Sequence, residues 1–184
     1  MNALAAAATA YALEIPASKI LEGLRAFEPA AMRMQVVRLP DGTVLINDAY
    51  NANPSSVRAA VASFCETYAG QPRWLVLGDM RELGSLAASE HRDIGKWLST
   101  LDLQHIFLYG RDTRFVLDGL RSAGAKMPID RFQKKRYLVD ALQKSLTAQQ
   151  PVIFFKASRS MKLEDVIAPL TTMDSSARLG AAAH

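Results

Sequence analysis

Four short blocks of this 184-residue chain carry side chains of the kinds that hold anions, sugars and amines. Asp48, Tyr50, Asn51 and Asn53 make the first, Asp79, Arg81 and Glu82 the second, Arg111 and Asp112 the third, and Lys156, Ser158 and Arg159 the fourth. The run Lys156-Ala157-Ser158-Arg159-Ser160 offers two cations, two hydroxyls and backbone donors just ahead of a helix, a set suited to a carboxylate or a phosphate. Asp48 is of the type that accepts sugar hydroxyls at a strand end, or that caps the loop after it. Asp79 and Glu82 suit an ammonium or an amine; equally, their charge suits the start of a helix beginning near Ser85.

Other reactive residue types point away from catalysis. His91 shares a helix face with Ala87, Ile94 and Leu98 and reads as an interior group; no Ser or Cys nucleophile pairs with it. His105 opens a strand and His184 lies in the tail, so the three histidines have no ligand spacing and no metal site is expected. Cys65 lies on an apolar helix face and reads as a small hydrophobe. The chain has neither G-x-x-x-x-G-K-[ST] nor G-x-G-x-x-G, so it encodes no complete ATP site and no dinucleotide site.

The elements that must position these blocks follow from periodicity. An Ala-rich run from Asn2 to Leu13 reads as a helix that Asn2 can cap; Pro16 opens a second helix through Phe27, and Pro29 closes the unit. Residues 33–39 and 43–48 flank Pro40-Asp41-Gly42 and should pair as a hairpin. Asn53 and Pro54 suit the cap and first position of a helix carrying Val57, Val61, Phe64 and Tyr68. Strands at 74–78, 105–110, 129–132 and 152–156 then alternate with helices near 85–100, 112–123, 137–148 and 160–170. Continuous apolar runs such as Trp74–Leu77 and Val152–Phe155 mean strands buried on both faces. The expectation is an α/β fold: a six-stranded, mostly parallel sheet with the first strand antiparallel and helices on both faces. In such sheets the ligand crevice lies outside the carboxyl ends of the strands, which is where all four polar blocks fall.

Composition narrows the class. With 49% hydrophobic and 22% charged residues, 10 Gly and 8 Pro, the chain is neither disordered nor collagen-like. One cysteine makes no internal disulfide and no Cys-rich zinc site, which favours a reducing compartment. The first residues lack a basic segment and a long apolar run, so no signal peptide or membrane insertion is expected and the cytoplasm is the default. The net charge of +4 is concentrated between Arg111 and Arg136, where eight Lys or Arg face three Asp. No aromatic residues interleave them as a nucleic-acid platform requires, and the stretch reads as a solvated face.

Three blocks, NDAYNANPSSVRAAV, LGDMRELG with SLAASEHRDIG, and FFKASRSMKLEDVI, resemble the carboxyl-terminal domain of the Mur ligases, in particular the MurF type. The resemblance runs from Asn2 to about Leu170. It implies a Rossmann-like domain over residues 31–171, preceded by the helical end of a central ATP-binding domain at 1–30 and followed by a flexible tail or remnant at 172–184. It implies a ligase of cytoplasmic peptidoglycan synthesis that uses ATP and Mg²⁺ to join D-Ala-D-Ala to UDP-MurNAc-tripeptide through an acyl phosphate. The P-loop, the magnesium carboxylate and most of the UDP-sugar site belong to the family's other domains, so no catalytic residue is expected within this chain. Position by position, the resemblance implies that Asn2 lies by the adenine, Arg33 reaches the ATP phosphates, Asp48 lies by the ribose and Asn51 touches nucleotide. Tyr50, Asn53, Asp79, Lys156, Ser158 and Arg159 fall on the substrate side. The family's Lys-Gly-Ser-Arg is Lys156-Ala157-Ser158-Arg159 here, a change that matters if that loop needs a positive φ. Two alternatives stand beside this one: a free-standing anion- or nucleotide-binding module, and a domain from another Mur ligase or a folylpolyglutamate synthetase relative.

Overall fold

A computed structural model describes residues 2–27, 31–146 and 150–172. Pro29 and the tail beyond Thr172 lie outside the described residues. The chain divides into two compact units, Met1–Ala30 and Ala31–His184. In the first, α1 (Asn2–Ala12) is built on alanines, and α2 (Ala17–Arg25) begins directly after Pro16, whose fixed φ suits a helix start.

The second unit is a six-stranded sheet in the order β1-β2-β6-β3-β4-β5. Its strands are β1 (Gln35–Arg38), β2 (Val44–Asn47), β3 (Arg73–Gly78), β4 (His105–Tyr109), β5 (Ile129–Phe132) and β6 (Val152–Lys156). β1 pairs antiparallel with β2, with Val36 opposite Ile46, and every other pairing is parallel. β1 is shorter than the alternation over 33–39 suggests because Met32 and Met34 both adopt left-handed backbone, which no strand tolerates.

Side chains alternate across the sheet and give each face its own core. Ile46, Leu75, Leu77, Ile106, Leu108 and Phe154 pack under α3 (Pro54–Thr67), α4 (Ala87–Leu98) and α5 (Thr113–Ser122). Leu45, Trp74, Val76, Phe107, Ile153 and Phe155 pack under α6 (Lys135–Ser145) and α7 (Glu164–Thr171). The loops leaving β2 and β3 thus run to one face and the loop leaving β6, which lies between them, runs to the other. This is the switch point at which an open α/β sheet forms its crevice.

Local chemistry sets the helix ends. Asn53 Oδ1 accepts the Ser56 N–H at 2.8 Å, and Ser56 Oγ accepts the Asn53 N–H at 3.0 Å, a capping box at the start of α3. The helices expected from Ser85 and Ser160 each open with a 3₁₀ turn, Gly84–Leu86 and Arg159–Met161; Lys162 is then left-handed and α7 starts only at Glu164. α6 begins at Lys135, two residues earlier than its apolar pattern suggests.

Two glycines bring the backbones of α4 and α5 close together. A Cβ on Gly119 would lie 2.0 Å from the Arg92 carbonyl oxygen, and one on Gly95 would lie 2.1 Å from that of Val116. Gly119→Ala should therefore force the helices apart and destabilise by about 3 kcal/mol, read as a lower denaturation midpoint at unchanged slope. Cys65 lies half-buried on α3, where burial pushes its thiol above the ordinary value against an opposing effect of Arg73. The folded state favours the neutral thiol, so no stability is lost below the unfolded cysteine's pKa and some is lost as pH rises beyond it. Iodoacetamide should alkylate Cys65 more slowly in the native chain than in urea at the same pH; equal rates would refute the burial effect.

Candidate functional site

The loops after β2, β3 and β6 meet over the switch point, and a buried lysine holds them. Lys156 closes β6 with only 3% of its surface exposed. Its ammonium donates to the Asp48 carbonyl at 3.1 Å and to the Asn51 carbonyl, and it pairs with Asp48 Oδ2 at 3.0 Å. Three donors meet three acceptors, all in the loop after β2. In this structure the ammonium of Lys156, a residue the resemblance puts on the substrate side, fastens the 48–52 loop to β6.

Ser158 and Asp79 are used in the same way. Ser158 Oγ accepts the Arg81 N–H at 2.8 Å and donates to the Ala52 carbonyl at 3.3 Å, while the Ser158 N–H donates to the Asp79 carbonyl at 3.1 Å. One residue thus ties all three loops together. Asp79 is fully buried. Its carboxylate accepts the backbone N–H groups of Arg111, Asp112 and Thr113 at 2.9–3.1 Å, satisfying donors at the start of α5. Asp79, expected on the substrate side or as a charge at the start of α4, here reaches from β3 across to the start of α5. Gly110 permits it, since a Cβ there would lie 2.4 Å from Asp79 Oδ1. Ala157 is not among the left-handed residues and needs no such freedom. Its methyl group instead fills the space beside Gly78, where a Cβ would meet it at 2.6 Å.

Asp48 has both oxygens engaged, Oδ2 by Lys156 and Oδ1 by the Met34 N–H at 3.3 Å. The Tyr50 N–H donates to the Met32 carbonyl at 3.1 Å. The 32–34 segment is thus strapped to the 48–50 loop, and Arg33, between its two left-handed neighbours, lies over the Tyr50 ring with its guanidinium carbon 4.2 Å from the centroid. Asn53 serves as the cap of α3. His91 is fully buried; its Nδ1 donates to the Ala87 carbonyl at 2.7 Å, and its Nε2 accepts the Met80 N–H at 3.1 Å, fixing a neutral ring that braces the loop after β3.

What remains open is a cleft of about 470 Å³ lined by Tyr50, Asn51, Arg81, Glu82, Ser158, Arg159 and Ser160. Of the expected site residues it brings together Tyr50, Asn51, Ser158 and Arg159, with Arg33 stacked behind Tyr50. Asn2 belongs to the other unit, as the first residue of α1. The sequence reading places Arg81 on the rim without a specific contact, and the cleft brings it in. Half-exposed, Arg81 pairs with Asp79 Oδ2 at 3.2 Å, lies 3.9 Å from Asp112 Oδ2, and approaches Met161 Sδ at 3.8 Å. Arg159 pairs with Glu164 Oε1 at 2.6 Å. The signal for Arg81 was its strand-end position, which places a residue on the rim without saying which way it faces.

The architecture defines a Rossmann-like α/β domain with a crevice at the carboxyl edge of its sheet. Residues 32–159 match the family model described as Mur ligase, glutamate ligase domain, and the chain belongs to that family. It is 34% identical over 171 residues, 92% of its length, to the UDP-N-acetylmuramoyl-tripeptide–D-alanyl-D-alanine ligase of Bacillus subtilis, and 30% identical to that of Haemophilus influenzae over 90% of its length. A crystal structure of MurF from Acinetobacter baumannii superposes with a TM-score of 0.80 at 31% identity, covering 94% of this chain and 37% of that one. The chain spans 37% of the B. subtilis relative and 35% of the H. influenzae one.

Lys156→Met removes the donor from two carbonyls and a carboxylate at once. It should cost about 3 kcal/mol and raise amide hydrogen exchange selectively in residues 48–52. Uniform exchange across the chain would show that the clasp is not local.

Proposed function

We propose that this chain is the carboxyl-terminal part of an ATP-dependent ligase of cytoplasmic peptidoglycan synthesis that joins D-Ala-D-Ala to UDP-MurNAc-tripeptide. The observation that carries the reading is the 34% identity spread over 92% of the chain to a ligase of that name. The cleft supports it, being sized for a small polar molecule and lined by side chains of both charges.

Among the described residues no group of three or more His, Cys, Asp or Glu could hold a metal ion, and the sequence carries no P-loop. In this reading the groups that hold Mg²⁺ and most of the triphosphate belong to the rest of a longer protein. The chain's own part is to bind and orient. Arg33 and Tyr50 form a cationic and aromatic rim toward nucleotide, and Asp48 and Asn51 hold the loop that carries Tyr50. We assign the helical unit to the end of the ATP-binding domain, and Asn2 to that domain's nucleotide-binding residues. Arg159, presented by the loop after β6, faces the incoming dipeptide. Lys156 and Asp79 support this site from below, and Ser158 lines it while tying the three loops together.

A chimera tests the reading. The amino-terminal and central parts of the B. subtilis ligase, joined ahead of this chain, should release phosphate only when ATP, UDP-MurNAc-tripeptide and D-Ala-D-Ala are all present, while this chain alone should release none. Phosphate release that ignores the dipeptide, or turnover by the chain alone, would overturn the proposal.

A further inference from the structure

The cleft contains one unassigned pair whose chemistry is specific. Arg81 and Glu82 are adjacent, both are exposed, and both line the cleft with Arg159 on the facing loop. Glu82 adopts left-handed backbone with φ 66°, a conformation that costs a non-glycine residue energy. The Arg81 N–H is held by Ser158 Oγ, and its guanidinium is held by Asp79. The turn is therefore built to present two opposite charges side by side.

The charge balance selects the ligand. Arg81 is paired with buried Asp79, and Arg159 with Glu164, so each cation enters the cleft already counterbalanced. A phosphate dianion would meet those carboxylates and Glu82 without a net positive field to offset them. A zwitterion, which brings no net charge, needs only hydrogen-bond donors for its carboxylate and an acceptor for its ammonium. A guanidinium carries five N–H groups, and each arginine spends only some of them on its partner. The remainder suit a carboxylate, and Glu82 suits an ammonium.

We propose that Arg81, with Arg159, binds the carboxylate of a zwitterionic amino acid or short peptide, and that Glu82 binds its ammonium. The assignment rests on the reading of this chain as the part of the ligase that meets the dipeptide, and it makes Arg81 and Glu82 the residues that select a substrate with two free ends.

Binding to the 184-residue chain is read by calorimetry and amide chemical shifts with three probes: D-Ala-D-Ala, its N-acetyl derivative, and its carboxamide. Removing either charge from the probe should weaken binding about tenfold, the scale of one charged hydrogen bond. Arg81→Gln should narrow the difference between dipeptide and carboxamide to what Arg159 contributes, and Glu82→Gln should erase the difference between dipeptide and N-acetyl derivative, each leaving the other difference intact. The comparison among probes on the unaltered chain needs no substitution, so a variant that fails to fold does not blunt it. Saturable dipeptide binding that is indifferent to probe charge, or unchanged in both variants, overturns this assignment and leaves the ligase reading standing. No saturable response to the dipeptide overturns this assignment, and the chimera then decides the ligase reading separately.

Discussion

The site depends on one buried ammonium. An isolated lysine charge removed from water costs several kcal/mol, and this one is tolerated because three oxygens of a single loop surround it. That requirement runs in both directions. The loop after β2 must curl so that the carbonyls of Asp48 and Asn51 point inward, and once it does, Tyr50 and the Asn51 side chain face outward. The clasp converts a strand-end lysine from a possible ligand group into the reason that other groups are displayed.

Ser158 and Asp79 extend the same logic to the neighbouring loops. Parallel strands end with unpaired backbone groups, and the helices that follow start with N–H groups that no helical carbonyl satisfies. Asp79 meets that need for α5 from the adjacent strand, and the price in space is met by Gly110, which has no Cβ to strike its carboxylate. Ser158 joins the loops after β2 and β3 through its hydroxyl, and Ala157 fills the gap beside Gly78. Lys156, Ser158 and Asp79, polar groups of the kind that contact ligands, also form an internal scaffold between the loops.

This division explains what was legible in the sequence. Binary patterning reports burial, so Trp74–Leu77 and Val152–Phe155 announced buried parallel strands, and Pro40-Asp41-Gly42 announced the hairpin that makes β1 antiparallel. Asn53 and Pro54 fixed the start of α3 by local chemistry alone. The rim itself was legible too, because strand ends are readable and polar residues cluster there. The direction in which each rim residue points was not. Whether Lys156 turns inward depends on carbonyls more than a hundred positions away, and Asp79 reaches α5 only because β4 lies beside β3. The left-handed turns at Met32, Met34 and Glu82 were hidden for a related reason: their side chains do not favour that backbone, and only tertiary contacts hold it.

The separation of roles follows from electrostatics at the switch point. A residue cannot be both fully neutralised by internal partners and free to discriminate among ligands, since binding would have to break bonds that are already made in a low-dielectric setting. Lys156 and Asp79 are of the first kind, with every strong bonding position occupied and no exposed surface to speak of. Arg81 and Arg159 are intermediate, anchored at one edge of the guanidinium and half-exposed along the rest. Anchoring lowers the entropy that a long side chain loses when it grips a ligand, while the exposed edge keeps donors available. Selectivity in this cleft therefore belongs to the half-anchored arginines and to Glu82, and the fully buried charges act on it only through the positions in which they hold the three loops.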